Sequence, residues 1–128
     1  MDIDFAAKRL EKLCNSDRDL VKAFGSQRAR VFRRRLDQLR AAENLEVLRS
    51  LPGRCHELTG DRKGTLSIDL DGPYRLLFEP ADEPRPTKAD GGLDWTLVTV
   101  IRILEVEDTH AKPYRERVSP RAGIGARG

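Results

Sequence analysis

Thr65-Leu66-Ser67-Ile68-Asp69-Leu70, followed by Asp71-Gly72-Pro73 and then Tyr74-Arg75-Leu76-Leu77-Phe78, decides the fold class. Polar and apolar residues alternate with period two up to Leu70, a tight turn reverses the chain, and a second apolar run follows, which predicts a β-hairpin. Upstream, His56 to Leu58 predicts a short strand joined to Thr65 through the polar turn Gly60-Asp61-Arg62-Lys63-Gly64. Downstream, Trp95 to Glu105 is rich in Thr, Val, Ile and Leu and predicts one long final strand or two short ones. The stretch between, Pro80 to Gly92, collects Pro80, Pro84, Pro86, Gly91 and Gly92, so it reads as a loop outside the sheet interior.

The period changes upstream of this sheet. Phe5, Arg9, Leu10 and Leu13 share one helical face, and Leu20, Phe24, Val31, Phe32, Leu36 and Leu39 continue the three-to-four spacing. Gly25 and Ser26 interrupt the pattern, either as a kink or with Ser26 capping a second helix that runs to about Ala42. Glu43 to Leu48 adds a short turn, and Leu51-Pro52-Gly53 stops helical structure. Helices first and mostly antiparallel strands second predict an α+β layer with the helices packed on one sheet face.

The chain has 128 residues, 38% of them hydrophobic, which suits one core and excludes a multidomain machine. A single domain is expected over residues 1–112, with a basic tail over 113–128. No run approaches the ~18 apolar residues of a membrane span, and Asp2 and Asp4 follow Met1 where a leader would be basic, so a cytoplasmic protein is expected. Cys14 and Cys55 lack CxxC or Cys/His spacing and read as reduced thiols.

Net charge is only +3, but it is unevenly placed. Residues 28–54 hold Arg28, Arg30, Arg33, Arg34, Arg35, Arg40, Arg49 and Arg54 against Asp37, Glu43 and Glu46. The planar guanidinium fork suits phosphate, so this segment, with Arg33 and Arg34 on its helix, is a candidate polyanion surface. An ordinary solvated face, or one that meets an acidic protein, fits the same charge run.

The two histidines, His56 and His110, flank the sheet region, and a pair converging on one face can act as base and acid. Asp108 stands two residues before His110 and can orient an imidazole, although Glu105, Glu107 and Asp108 also read as a solvated acidic cluster. Arg75 is a charge inside an apolar strand. It lies either on the solvent face or, with Arg62 and Lys63 of the turn, along an RNA-backbone groove. Trp95 and Tyr74 read as core or edge aromatics, and no glycine-rich phosphate loop occurs.

The segment from Leu51 to Phe78 joins a histidine before a Leu-x-Gly-Asp-x-x-Gly turn, a Leu-Ser-Ile strand and a Tyr-Arg-Leu-x-Phe strand. It resembles the plasmid-maintenance killer proteins, the HigB-like branch of the RelE/ParE toxin superfamily. The resemblance implies a RelE-like toxin fold and a type II toxin that cuts messenger RNA on the ribosome without a metal or small-molecule cofactor. It also implies a helix-turn-helix antitoxin as partner and no membrane association. Carried over by position, it implies His56, Arg75, Asp108 and His110 as catalytic; Arg62 and Lys63 of the turn and Arg33 and Arg34 of the arginine-rich helix are the candidate RNA contacts read from the charge. Thr59 and Thr109 depart from the branch, where lysine and tyrosine are common. The alternative is a toxin fold without nuclease activity that binds gyrase, or only its antitoxin.

Overall fold

The computed structural model describes residues 1–110; the predicted 113–128 tail lies outside the described residues. Strand β1 (Asp2–Phe5) precedes three helices, α1 (Lys8–Cys14), α2 (Asp17–Phe24) and α3 (Ser26–Ala41). A 3-10 turn over Leu45–Ser50 leads into β2 (His56–Glu57), β3 (Leu66–Asp69), β4 (Tyr74–Pro80) and β5 (Val100–Asp108). The sheet order is β1-β5-β4-β3-β2, antiparallel except that β1 runs parallel to β5. The fold is α+β, as the change of period predicts. Among the described residues, no helix is long and apolar enough to cross a membrane.

Three expectations are corrected. Phe5 belongs to an edge strand and not to a helix: Ile3 and Phe5 alternate with two aspartates, and β1 pairs with β5 from Asp2↔Val100 to Phe5↔Ile103. Ser26 caps nothing, because Gly25 holds the cap position at φ +85° and no side-chain bond forms there. The serine that does cap is Ser16, whose hydroxyl accepts from the Asp19 amide at 3.1 Å, dividing the first helical stretch into α1 and α2. Trp95 starts a 3-10 turn, Trp95–Leu97, and the last strand begins only at Val100 and runs on to Asp108. Asp94 accepts from the Thr96 amide at 3.1 Å, and this cap competes with extended structure.

Helix-facing strand residues Leu66, Ile68, Leu76, Phe78, Ile101 and Ile103 are buried against Leu10, Leu20, Phe32, Leu36 and Leu39. The β4–β5 register shifts between Leu77 and Phe78, so that Leu77 pairs with Glu105 while Phe78 pairs with Ile103. The shift puts Leu76 and Phe78 of β4 and Ile101, Ile103 and Val106 of β5 on the helix side, and leaves Leu77 on the opposite face. The α-ammonium of Met1 donates to the carbonyls of Leu39, Arg40 and Ala42, at 3.1, 2.8 and 2.5 Å, where positive charge meets the C-terminal end of α3.

Gly53 sets the entry into β2. Its carbonyl accepts from the Asp69 amide at 2.6 Å, and its φ of +115° is one that side chains avoid. A Cβ there would meet Ile68 Cγ1 at 2.7 Å and Arg35 Nε at 2.9 Å. Gly53→Ala is therefore expected to destabilise the fold by about 1–3 kcal/mol. Urea denaturation should show this as a lower midpoint at unchanged slope.

Candidate functional site

The sheet face turned away from the helices carries charge. Register aligns Asp69, Arg75 and Glu107 in one row across β3, β4 and β5, and His56, Ser67, Leu77 and Glu105 in the next. Residues aligned in this way present their side chains to the same face.

Glu107 is the centre of the first row. Arg75 donates to its Oε1 from Nε at 2.7 Å, with the terminal nitrogen at 2.6 Å, and Arg62 grips both oxygens from the β2–β3 turn. That turn leaves the sheet at the Phe78 end, whereas Glu107 lies at the Arg75 end, so the contact folds the turn back over the face. Ser67 and Leu77, which lie between, are 0% and 3% exposed. The hydrogen bond from Arg62, joined by that from Arg75, holds the Glu107 carboxyl below its ordinary range despite the opposing effect of partial burial. The same bond raises Arg62 above its ordinary value. At the other end of the row, Arg54 Nε donates to Asp69 at 3.0 Å.

His56 is held by the carbonyl of Arg54, 2.8 Å from its Nδ1. A carbonyl can only accept, so Nδ1 carries the proton and, in the neutral ring, Nε2 is the basic nitrogen. Asp108 turns to the opposite face from Glu107 by alternation and pairs in register with Tyr74. Its carboxylate accepts from the backbone amide of His110 at 2.9 Å, so it fixes the chain that carries the imidazole and not the ring. His110 is exposed, just past the end of β5. The Asp69–Arg75–Glu107 row therefore lies between the His56 row and His110, and no contact joins the two imidazoles among the described residues.

The structure redistributes the arginine run. Arg33 donates to Asp17 at 2.9 Å and to the Cys14 carbonyl at 3.1 Å, tying α3 to α1 and α2. Arg35 reaches the Asp69 carbonyl, Arg40 the Asn15 side chain and Arg49 the Trp95 ring, while Arg28 lies over Tyr74. Arg30 and Arg34 are exposed and have no ion-pair partner among the described residues. Arg62 and Lys63 are adjacent but serve different places: Arg62 joins Glu107, whereas Lys63 lines a cavity beyond the edge strand. Thr109 donates its hydroxyl to the Pro73 carbonyl at 2.9 Å and closes the end of β5. Both thiols are pushed up to about 12 by burial, which removes them as nucleophiles at neutral pH.

A family model described as RelE-like toxin of type II toxin-antitoxin system HigB matches residues 3–84. The chain belongs to the HigB-like toxin family. No curated protein matches it. As a HigB-like toxin it is the toxin of a type II toxin-antitoxin system and has an antitoxin as partner, and its α+β fold is RelE-like. Within this HigB-like fold, the sequence reading missed Glu107 as the partner of Arg75, leaving it in a solvated acidic cluster. A half-buried acid two residues from Glu105 on a strand is the local signal, but its pairing with Arg75 depends on a register no local pattern gives.

Because its folded value lies below the unfolded one, Glu107 contributes stability that is complete above the unfolded carboxyl value of 4.5 and is lost as the pH falls through the depressed folded value. Glu107→Gln should cost on the order of 1–3 kcal/mol at neutral pH. Urea midpoints of variant and wild type should converge as the pH is lowered through and below the carboxylate range. A gap that persists unchanged into acid would show that the carboxylate's charge is not the source.

Proposed function

We propose that this HigB-like toxin is an endoribonuclease that cleaves messenger RNA on the ribosome. The observation that carries the reading is His56, its Nδ1 committed to the Arg54 carbonyl and its Nε2 left as base, on the same sheet face as Arg75. In the proposed reaction, His56 removes the proton of a ribose 2′-hydroxyl, and the 2′-oxygen bonds to the adjacent phosphorus. The bond from phosphorus to the 5′-oxygen breaks, leaving a 2′,3′-cyclic phosphate and a 5′-hydroxyl. Arg75 meets the negative charge that builds on the phosphoryl oxygens, and His110 protonates the departing 5′-oxygen.

In-line displacement needs its base and its acid on opposite sides of the phosphorus. The order of His56 row, Arg75–Glu107 row and His110 is of that kind. Asp108 acts as a positioning residue through the His110 backbone. Presentation of a strained messenger by the ribosome supplies orientation that so small a protein lacks.

The test is inducible expression of wild type, His56→Ala, Arg75→Ala and His110→Ala in bacteria, with growth followed and RNA 5′ ends mapped. Wild type should arrest growth and generate new 5′-hydroxyl ends. Each histidine variant should lose about 10²–10⁴-fold in cleavage and Arg75→Ala about 10²–10³-fold. Growth arrest without new ends, undiminished in the variants, would overturn the nuclease reading and favour action by binding a protein such as gyrase.

A further inference from the structure

Consecutive residues of the β2–β3 turn point to different places, and the second place is a cavity of about 400 Å³ lined by Glu57, Lys63, Gly64, Arg85, Gly91, Gly92 and Leu93. It lies at β2, the edge strand, on which Glu57 and His56 face opposite ways. Its outer wall comes from the stretch after β4, whose last residue, Pro80, pairs with Ile101 in the sheet and is not in the loop that the proline content suggests. Thr87 bridges Leu93, the Lys88 amide donates to the Gly92 carbonyl at 2.7 Å, and the Asp94 amide donates to the Pro86 carbonyl at 3.1 Å. Leu93 and Trp95, 7% and 3% exposed, root this small hairpin in the core. Arg85 is thus carried by a braced loop, with its guanidinium 3.9 Å from where a Cβ on Gly64 would stand.

The charge in the cavity is unbalanced. Neither Lys63 nor Arg85 has an ion-pair partner among the described residues, whereas the nearby Lys88 pairs with Asp90 at 4.0 Å. Glu57, the acid of the lining, keeps its charge while its Oε2 accepts from the Trp95 indole at 2.8 Å, so Lys63 and Arg85 leave the lining with one net positive charge. Two cations on separate elements, with three glycines admitting close approach, suit a phosphate group. Leu93, the one hydrophobic side chain of the lining, is buried and gives a protein side chain little to grip. Arg85 lies just past the matched stretch 3–84, while Lys63 lies within it.

Resting on the nuclease reading, we infer that Lys63 and Arg85 form a second anion subsite, which holds a backbone phosphate of the RNA across the β2 edge from the one placed at His56 and Arg75. The β2–β3 turn couples the two, since Arg62 stands in one and Lys63 in the other.

The test uses a single-stranded oligoribonucleotide methylated at every 2′-oxygen, which binds but cannot be cut, and measures affinity against salt for wild type, Lys63→Ala, Arg85→Ala, Arg85→Lys and Lys22→Ala. All three positions are exposed, and circular dichroism checks the fold. Each alanine variant at the subsite should bind roughly tenfold more weakly. Its salt slope should be shallower by about 0.7 for each lost phosphate contact. Arg85→Lys should recover part of the loss, and Lys22→Ala, an exposed cation on α2 outside the cavity lining, should bind like wild type. Binding that depends on Lys63 and Arg85 in a protein that cuts no messenger would keep the subsite and sink the nuclease. Wild-type cleavage with binding indifferent to both cations would do the reverse. Failure of wild type to bind, or a loss seen only in association with the co-expressed antitoxin, would overturn the subsite.

Discussion

The antiparallel ladder between β4 and β5 is the pairing on which the rest of the structure depends, because it decides which residues of each strand share a face. From Tyr74↔Asp108 to Leu77↔Glu105 it runs in one register, and from Phe78↔Ile103 in another. Shifting the register at Leu77/Phe78 lets Leu76 and Phe78 join Ile101 and Ile103 under the helices while Arg75 stays opposite Glu107. A slip of one residue anywhere along it would turn a guanidinium into the core and a leucine toward the site. Packing and electrostatics therefore enforce the same alignment, and the strand can carry a charge between apolar neighbours because its partner arrives with it.

The charge of the chain is organised by the same economy. An arginine-rich segment looks from composition like a surface built for polyanions, yet most of its guanidiniums are used inside the molecule. Arg33 joins three helices, Arg35 braces Asp69 and Gly53, and Arg49 lies 3.8 Å from the Trp95 ring centre. Arginine suits this work because a planar fork can satisfy carbonyls and carboxylates together and its stem packs as hydrocarbon. Of that segment, Arg30 and Arg34 on α3 are left without an ion-pair partner among the described residues.

Local pattern reached as far as local physics does. The hairpin of β3 and β4 was legible because alternation and the Asp71-Gly72-Pro73 turn lie within one short window, and Arg75 stood out as a charge among apolar neighbours. His56 was legible from its place before the turn. Strand β1 was not, since four residues with Phe5 at the end fit a helix as well, and only its pairing with β5 decides between them. Glu107 and Arg85 were illegible for a related reason. Each matters through contacts with residues more than twenty positions away, Arg62 and Arg75 for the first and Gly64 for the second. The role of Asp108 was half legible: it does act on His110, but through the backbone amide, which spacing alone does not distinguish from the ring.

The row Arg54, Asp69, Arg75, Glu107 and Arg62 holds three cations and two anions, so it carries one positive charge before any ligand arrives. One phosphate diester brings it to neutrality without displacing any member. Glu107, held below the ordinary carboxylate range, stays ionised at neutral pH and is too weak a base to take a proton from a ribose hydroxyl. In the proposed reaction that leaves base chemistry to His56 and makes Glu107 the residue that aims Arg75. In the proposed reaction, as the phosphoryl oxygens gain charge, Arg62 and Arg75 can shift hydrogen bonds from Glu107 toward them. The attraction is then greater in the transition state than in the bound substrate, which is the condition for an arginine pair to accelerate cleavage and not merely hold RNA.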